Sequence, residues 1–177
     1  MTTEYESESA LLIIDMLNDF IEDGGALVVP GAKRIVPRIR EILEDARQQD
    51  IPVIYVTDSH RDDDHEFRYW PAHAISNTWG GEVIMELQPA PGDYIVPKRR
   101  YSAFFGTDLD TYLREIGVRK LYLAGVLTNI CIYATALEAS MRNYGVAVFK
   151  DAVASLSDET DRFIFQQLKE VVQAELL

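Results

Sequence analysis

The pattern of hydrophobic positions predicts several short, fully buried strands. Continuous apolar runs cover residues 10–14, 52–57, 94–98, 120–124 and 146–149. Runs of this length that do not alternate with polar residues are typical of strands covered on both faces. The chain should therefore contain a largely buried, parallel sheet.

Between and after these runs, apolar residues recur at helical spacing, with charged residues on the opposite side. Two helices are predicted from such sets: Ile35, Ile39, Ile42 and Ala46, and then Leu109, Tyr112, Leu113 and Ile116 after a Thr107 N-cap. A third helix, which Cys131 begins or precedes, reaches Asn143. The last helix covers residues 158–176 and is capped by Ser157 or Asp158. Alternating strands and helices predict an α/β fold, a three-layer αβα, Rossmann-like, doubly wound and mostly parallel sheet of about six strands. We expect a single domain over residues 1–177.

Composition and charge exclude several classes of partner. The chain has 177 residues, 47% of them hydrophobic, and a formal charge of -12. Binding to nucleic acid or an anionic membrane needs concentrated Lys and Arg, so neither partner is expected. Cys131 is the only cysteine, which rules out an intramolecular disulfide. With no signal-peptide pattern in residues 1–9 and no apolar run of membrane length, a cytoplasmic location is predicted.

Polar residues with chemical potential follow the predicted strands. In strand order they are Asp15; Asp58 and His60; Lys98; Thr128, Asn129 and Cys131; and Asp151. Each alone has an ordinary structural interpretation, such as a helix cap or a buried thiol. Because ligands of open α/β sheets bind beyond the carboxyl ends of the strands, the set together favours a cysteine-hydrolase site.

Three stretches carry a resemblance to a known family. They are LLIIDMLNDF at residues 11–20, VPKRRYSAFFGTDL at residues 96–109 and AGVLTNICIYATALEA at residues 124–139. In this order they resemble the isochorismatase-like cysteine hydrolases, which include nicotinamidases and N-carbamoylsarcosine amidases. The similarity runs from about residue 11 to residue 151.

The resemblance implies a catalytic triad of Asp15, Lys98 and Cys131. It also implies a cis peptide bond between Val126 and Leu127, and an oxyanion hole made by the backbone N–H groups of Leu127 and Cys131. Lys98 and the start of the following helix would favour the thiolate of Cys131, and Asp15 would move the proton. Isochorismatases cleave a vinyl ether and need no thiol, so Cys131 favours an amide or carbamoyl substrate.

A long polar segment at residues 58–81 contains all three histidines of the chain. Nicotinamidase-like members carry D-x-H and P-x-H sequences that bind a divalent metal, and here these supply Asp58, His60 and His73. Zinc, or iron or manganese, suits this set and would hold the pyridine nitrogen of the substrate. Nicotinamidases usually have Trp where this chain has Ser59, which loosens the substrate assignment. His65 and the neighbouring residues 62–64 are expected to be solvated surface.

Aromatic residues near the predicted site are candidate walls for a small planar substrate, although core packing is the more common role for any single one of them. They are Phe20, Phe67, Trp70, Tyr101 and Tyr133. Arg99 and Arg100 could anchor a substrate carboxylate, or serve as surface or interface charges.

Several functions remain open at this point. The sequence favours a nicotinamidase-like amidase that converts nicotinamide to nicotinic acid and releases ammonia. The alternative is an N-carbamoylsarcosine amidase or another carbamoyl or ureide hydrolase; an isochorismatase or a non-catalytic binding protein is less favoured. No G-x-G-x-x-G, P-loop or C-x-x-C supports a dinucleotide or redox module, so no organic cofactor is expected. A homo-oligomer, dimer or tetramer, is also predicted.

Overall fold

The computed structural model describes residues 3–177, which are built around a six-stranded parallel sheet. The strands are β1 (Ser9–Ile14), β2 (Val53–Asp58), β3 (Tyr94–Lys98), β4 (Lys120–Val126), β5 (Gly145–Ala154) and β6 (Glu175–Leu176). Their order across the sheet is β3-β2-β1-β4-β5-β6, and every neighbouring pair is parallel. The predicted α/β fold is confirmed, and the chain changes its direction across the sheet between β1 and β4.

Helices cover both faces of the sheet. They are α1 (Asn18–Ile21), α2 (Val36–Gln48), α3 (Leu109–Glu115), α4 (Tyr133–Met141) and α5 (Asp158–Gln167). Successive side chains of a strand point to opposite faces, so Leu11 and Ile13 pack with α1 and α2, whereas Leu12 and Ile14 pack with α3, α4 and α5. No helix within residues 3–177 is long and apolar enough to cross a membrane.

Strand β5 is longer than the predicted run at residues 146–149. An irregularity in its pairing with β4 leaves Lys150 and Asp151 exposed, and the strand resumes where Val153 pairs with Gly125. Asp151 therefore lies inside the strand and forms an ion pair with Arg38 at 2.9 Å. Its expected place at the end of the strand was wrong, because a bulge turns polar residues outward without ending a strand.

The last predicted helix, at residues 158–176, was too long. Ser157 caps α5 as predicted, its Oγ accepting a hydrogen bond from the Thr160 N–H at 3.2 Å. After α5 a π-helical turn covers Leu168–Val172, and Gln173 adopts a left-handed conformation with φ of 61° that ends the helix. The two residues of β6 then pair with β5 and supply the sixth strand.

Cys131 precedes the helix that was predicted beside it. It lies in a π-helical turn, Thr128–Ile132, and α4 follows directly. The predicted start of α3 shifts by one residue: Asp108 rather than Thr107 occupies its N-cap position, although the Thr107 Oγ1 accepts a long hydrogen bond of 3.4 Å from the Leu109 N–H. This shift leaves the element in place.

Strand β3 forms one edge of the sheet and pairs with β2 alone. It contains Pro97, which has no N–H to donate and is tolerated where one side of a strand is unpaired. The edge strand ends at Lys98, so a site residue is carried by a strand with a single neighbour.

Candidate active site

The carboxyl ends of four strands meet at one edge of the sheet and carry the predicted triad. Asp15 directly follows β1, Asp58 and Lys98 end β2 and β3, and Cys131 lies in the turn after β4. The parallel register pairs Asp58 with Lys98. The structure thus brings these side chains together at the carboxyl ends of β1 and β4, between which the chain changes its direction across the sheet. Open α/β sheets bind ligands at this position.

Asp15 is buried and turned into the site by an unusual backbone conformation. Its φ is 55°, in the left-handed region that aspartate tolerates better than most residues. One carboxylate oxygen, Oδ1, accepts a hydrogen bond of 2.8 Å from the Asp58 N–H. The other, Oδ2, makes no aligned hydrogen bond within residues 3–177 and forms an ion pair with Lys98. Burial and the neighbouring Asp58 raise the pKa of Asp15 to about 6, against the effect of Lys98.

Lys98 is fully buried between the two carboxylates. Its Nζ lies 2.8 Å from Asp15 Oδ2, forms an ion pair with Asp58 Oδ1 and lies 3.5 Å from the Sγ of Cys131. Burial alone disfavours the ammonium, but the Asp15 and Asp58 charges outweigh it and raise the pKa of Lys98 well above its usual range. Lys98 is therefore a permanent cation beside the thiol.

The Cys131 thiol is buried within reach of both partners. Its Sγ and carboxylate oxygens of Asp15 and Asp58 lie within 4.8 Å of one another. Lys98 lowers the pKa of the thiol as predicted, but burial outweighs it and raises that pKa well above its usual range. The thiol therefore needs a proton acceptor at the moment of reaction, and Lys98 is the group that favours its thiolate.

The turn before Cys131 contains the cis peptide bond at Val126-Leu127 that the resemblance implied. Directly before it, Gly125 has a φ of 123°, and a Cβ there would lie 2.0 Å from the carbonyl oxygen of Ile14. Only glycine fits this close approach of β4 to β1. The approach sets the spacing between Asp15, which follows Ile14, and the turn that carries Cys131.

Beside the triad, Asp58, His60 and His73 form a buried cluster that could hold a metal. Asp58 Oδ2 lies 3.7 Å from His60 Nε2 and 3.9 Å from His73 Nε2. The Nδ1 of His73 lies 2.7 Å from the Pro71 carbonyl oxygen, which directs Nε2 towards Asp58. Within residues 3–177, neither ring nitrogen of His60 has a hydrogen-bond partner, although the side chain is fully buried. Unsatisfied imidazole nitrogens facing a carboxylate fit a divalent cation.

The segment that carries His73 is fastened to the sheet edge by backbone pairing and by Asp19. The His60 N–H donates to the Ala74 carbonyl at 2.9 Å, forming a short parallel bridge. Asp19 accepts hydrogen bonds from the backbone N–H groups of Ala74 and Ala26, at 2.8 and 2.9 Å. Asp19 was not assigned a role from the sequence, because a buried loop-fastening carboxylate has no local spacing that distinguishes it.

The acidic stretch at residues 62–64 was expected to be solvated, but only part of it is. His65, Asp62 and Asp63 are exposed, but Asp64 is buried. Asp64 accepts hydrogen bonds from Arg99 and Arg100 at 2.8 to 3.0 Å. Burial acts to raise the pKa of Asp64, but the Glu66 N–H and Arg99 outweigh it and lower the pKa. The arginines are thus bound to a buried carboxylate.

A small, mainly apolar cavity opens over the triad. Asp15, Asp58, Glu66, His73 and Cys131 form its polar end; its walls include Phe20, Trp70, Tyr101, Leu127, Ile130 and Leu156. The Trp70 indole N–H donates to the Tyr101 hydroxyl at 3.1 Å, which joins two of the predicted walls. Tyr133, the first residue of α4, lies outside this lining and packs against the core. Phe67 also lies outside it and contacts the rings of His60 and His73.

The isochorismatase domain family matches residues 9–175 of the chain. The chain belongs to the isochorismatase family. It is accordingly a hydrolase of that family, whose members act on small amide substrates.

Solved structures of isochorismatase-like proteins share the fold closely. N-carbamoylsarcosine amidase from Thermoplasma acidophilum is 39% identical, with a TM-score of 0.88 over 95% of this chain and 94% of that chain. Nicotinamidase PncA from Bacillus subtilis is 34% identical, with a TM-score of 0.90 over 96% and 98%. Pyrazinamidase of Pyrococcus horikoshii, in complex with zinc, is 31% identical, with a TM-score of 0.91 over 96% and 98%.

Curated relatives of similar identity differ in what their names describe. A probable inactive nicotinamidase of Arabidopsis thaliana is 39% identical over 85% of this chain and 83% of its own length. The ureidoacrylate amidohydrolase RutB of Rhizobium rhizogenes is 31% identical over 86% of this chain and 73% of its own length. Family membership therefore leaves the substrate to be argued from the site itself.

Proposed function

We propose that the protein is a cysteine-dependent amidohydrolase that cleaves a small neutral amide through a thioester and releases ammonia. Nicotinamide is the proposed substrate and nicotinic acid the product. The observation that carries the proposal is the contact among Asp15, Lys98 and Cys131 at the polar end of an apolar cavity. A nucleophile, a proton acceptor and a fixed cation in one buried place are what acyl transfer requires.

In the first half-reaction, the Asp15 carboxylate accepts the thiol proton as Sγ of Cys131 bonds to the amide carbon. The electron pair of the carbonyl moves to its oxygen, which the backbone N–H groups of Leu127 and Cys131 stabilise. When this intermediate collapses, the carbon–nitrogen bond breaks and Asp15 returns the proton to the departing nitrogen. Ammonia leaves, and the acyl group remains on Cys131 as a thioester.

In the second half-reaction, Asp15 takes a proton from water, and the hydroxyl adds to the thioester carbon. The carbon–sulfur bond then breaks, the proton returns to the thiol, and the acid is released. A pKa of Asp15 of about 6 suits a group that must accept and release a proton in each half-reaction near neutral pH. Lys98 keeps the Asp15 charge beside Asp58 and offsets the developing charge on sulfur.

Asp58, His60 and His73 are proposed to hold a divalent ion, namely zinc, iron or manganese. The fit rests on the unsatisfied nitrogens of His60 and on the Nε2 atom of His73 facing the same carboxylate oxygen. When bound, such an ion supplies a Lewis acid with coordination positions left for a small ligand. The zinc complex of the Pyrococcus horikoshii pyrazinamidase supports this assignment.

The charge of the cavity favours a neutral amide over a carbamoyl amino acid. Its charged lining side chains are the carboxylates of Asp15, Asp58 and Glu66, and no Arg or Lys lines it within residues 3–177. A substrate carboxylate needs a cation, usually an arginine, to hold it. Arg99 and Arg100, the candidates for that role, bind Asp64 instead.

A carbamoyl or ureide hydrolase is the second candidate. It is supported by the 39% identity to N-carbamoylsarcosine amidase. It is also supported by Ser59, whose Oγ lies 2.7 Å from the Ser76 Oγ, outside the cavity lining. Nicotinamidases usually have a tryptophan where this chain has Ser59. This chain therefore lacks that tryptophan as a possible wall for a pyridine ring.

Ammonia release from nicotinamide, N-carbamoylsarcosine and ureidoacrylate tests the proposal, with zinc-loaded enzyme and with Cys131→Ala as the blank. Nicotinamide should be cleaved, and the blank should release no ammonia from any substrate. Cleavage of a carbamoyl substrate without cleavage of nicotinamide would establish the second candidate. Activity of the Cys131→Ala variant equal to that of the wild type would refute the mechanism.

A further inference from the structure

Asp64 is a buried carboxylate outside the triad and the predicted metal ligands, and both of its oxygens accept hydrogen bonds. The Asp64 side chain is 0% exposed, although it belongs to a run of acidic residues whose other members face solvent. Its Oδ1 accepts from the Glu66 N–H at 3.1 Å and from Arg100 at 3.0 Å, and its Oδ2 accepts from Arg99 at 2.8 and 3.0 Å. Four donor contacts fix both oxygens of one carboxylate in place.

The fixed carboxylate faces His60. Asp64 Oδ2 lies 3.2 Å from the Nδ1 of His60, four residues earlier in the sequence. This is a contact by distance rather than an aligned hydrogen bond, because neither nitrogen of that ring has a hydrogen-bond partner. Nε2, on the opposite side of the ring, faces Asp58.

His73 has a matching arrangement with a different partner. Its Nδ1 lies 2.7 Å from the Pro71 carbonyl oxygen, and its Nε2 faces the same oxygen of Asp58. Each ring therefore has an acceptor behind Nδ1 and directs Nε2 towards one point. An acceptor behind a metal-bound histidine fixes its tautomer and its orientation.

The two arginines directly follow Lys98 at the end of β3. Their exposed fractions are 50% for the Arg99 side chain and 40% for that of Arg100, so they reach inward from the surface to Asp64. The same strand end thus supplies Lys98 to the triad and, through the arginines, fixes the carboxylate behind His60.

We propose that Asp64, held by Arg99 and Arg100, is the positioning residue that orients His60 for metal binding. This inference rests on the metal site of the proposed function. It gives the arginine pair a role in the geometry of the cation site rather than in substrate binding. Asp64 itself contacts neither the metal nor the substrate.

The test is zinc affinity of the metal-free, folded protein, measured by competition with a chelating dye. Asp64→Asn keeps the shape of the side chain but removes the charge, and it should weaken zinc binding about 10- to 100-fold. Asp63→Asn is the matched control, because Asp63 is exposed in the same loop, and its affinity should equal that of the wild type. The visible absorption spectrum of bound Co²⁺ should shift in Asp64→Asn and not in the control.

A purely structural role of Asp64 predicts a different result, namely a lower Tm of the metal-free protein with unchanged zinc affinity and an unchanged Co²⁺ spectrum. That result would overturn the inference and leave the amidase proposal intact. If the wild type binds no zinc, both the inference and the proposed metal site are wrong. If Asp64→Asn does not fold, the Arg99→Gln/Arg100→Gln variant decides, and wild-type zinc affinity in it refutes the inference.

Discussion

Gly125→Ala should be among the most damaging single-methyl changes in this protein. At Gly125 a Cβ would lie 2.0 Å from the Ile14 carbonyl oxygen and 2.9 Å from its carbonyl carbon and its nitrogen, all of them backbone atoms. Relieving that overlap requires β4 to move away from β1. Overpacking costs about 1–3 kcal/mol, and the φ of 123° at this position adds roughly 1–3 kcal/mol of strain for alanine.

The free energy of unfolding should therefore fall by about 2–6 kcal/mol, and the Tm by roughly 5–20 °C for a chain of this size. Gly117→Ala is the matched control, since Gly117 also has a positive φ, 76°, but its Cβ would meet nothing within 4 Å. Urea unfolding of both variants and the wild type isolates the clash from the backbone strain. If Gly125→Ala is no less stable than Gly117→Ala, the close approach of the two strands does not constrain this position.

Three other predictions concern the site directly. Cys131→Ser should reduce kcat at least about a thousandfold with little change in Tm, because the less acidic hydroxyl replaces the thiol without altering the packing; kcat within tenfold of the wild type would argue against a thiol nucleophile. Zinc at 100 times its Kd should stabilise the wild type by about 2.7 kcal/mol, as seen in thermal melts, and His73→Ala should lose that shift; an equal shift in both would place the ion elsewhere. Lys98→Met should lower the free energy of unfolding by about 3–5 kcal/mol, because it leaves Asp15 and Asp58 together without a cation. Adding Asp15→Asn should recover part of that loss in urea titrations, and no recovery would contradict the ion-cluster interpretation.

The sheet and the clustering of polar residues at one of its edges could be predicted from the sequence because both depend on local patterns. Five strands are short apolar runs, and the ends of parallel strands must share an edge, so Asp15, Lys98 and Cys131 converge in any such fold. The sixth strand could not be predicted. Its two residues follow a helical pattern and become a strand only because β5 offers them an unpaired edge.

The surroundings of the site were harder to predict, because they depend on contacts between distant residues. Asp64 lies in a run of seven charged or titratable residues, 60–66, and its sequence context is typical of solvated surface. In the structure, Arg99 and Arg100, 35 and 36 residues away, bind its buried carboxylate. Glu66 was also missed, although it lines the cavity. The sequence signal for the role of Asp64 is its position four residues after His60. This spacing becomes specific only when Arg99 and Arg100 are placed beside Asp64.

The edge strand β3 should affect how long the Cys131 thiol stays unoxidised. Lys98 lies on β3, which has hydrogen bonds to one neighbour only, so this strand should open at a lower free energy than β1 or β4. Each opening should move the Lys98 cation away from Cys131 and increase the access of water and oxidants to a thiol that is 4% exposed in the closed structure. The rate at which Cys131 is oxidised should then depend on how often β3 opens. Substitutions that stabilise the pairing of β3 with β2 should slow this oxidation without changing the catalytic residues.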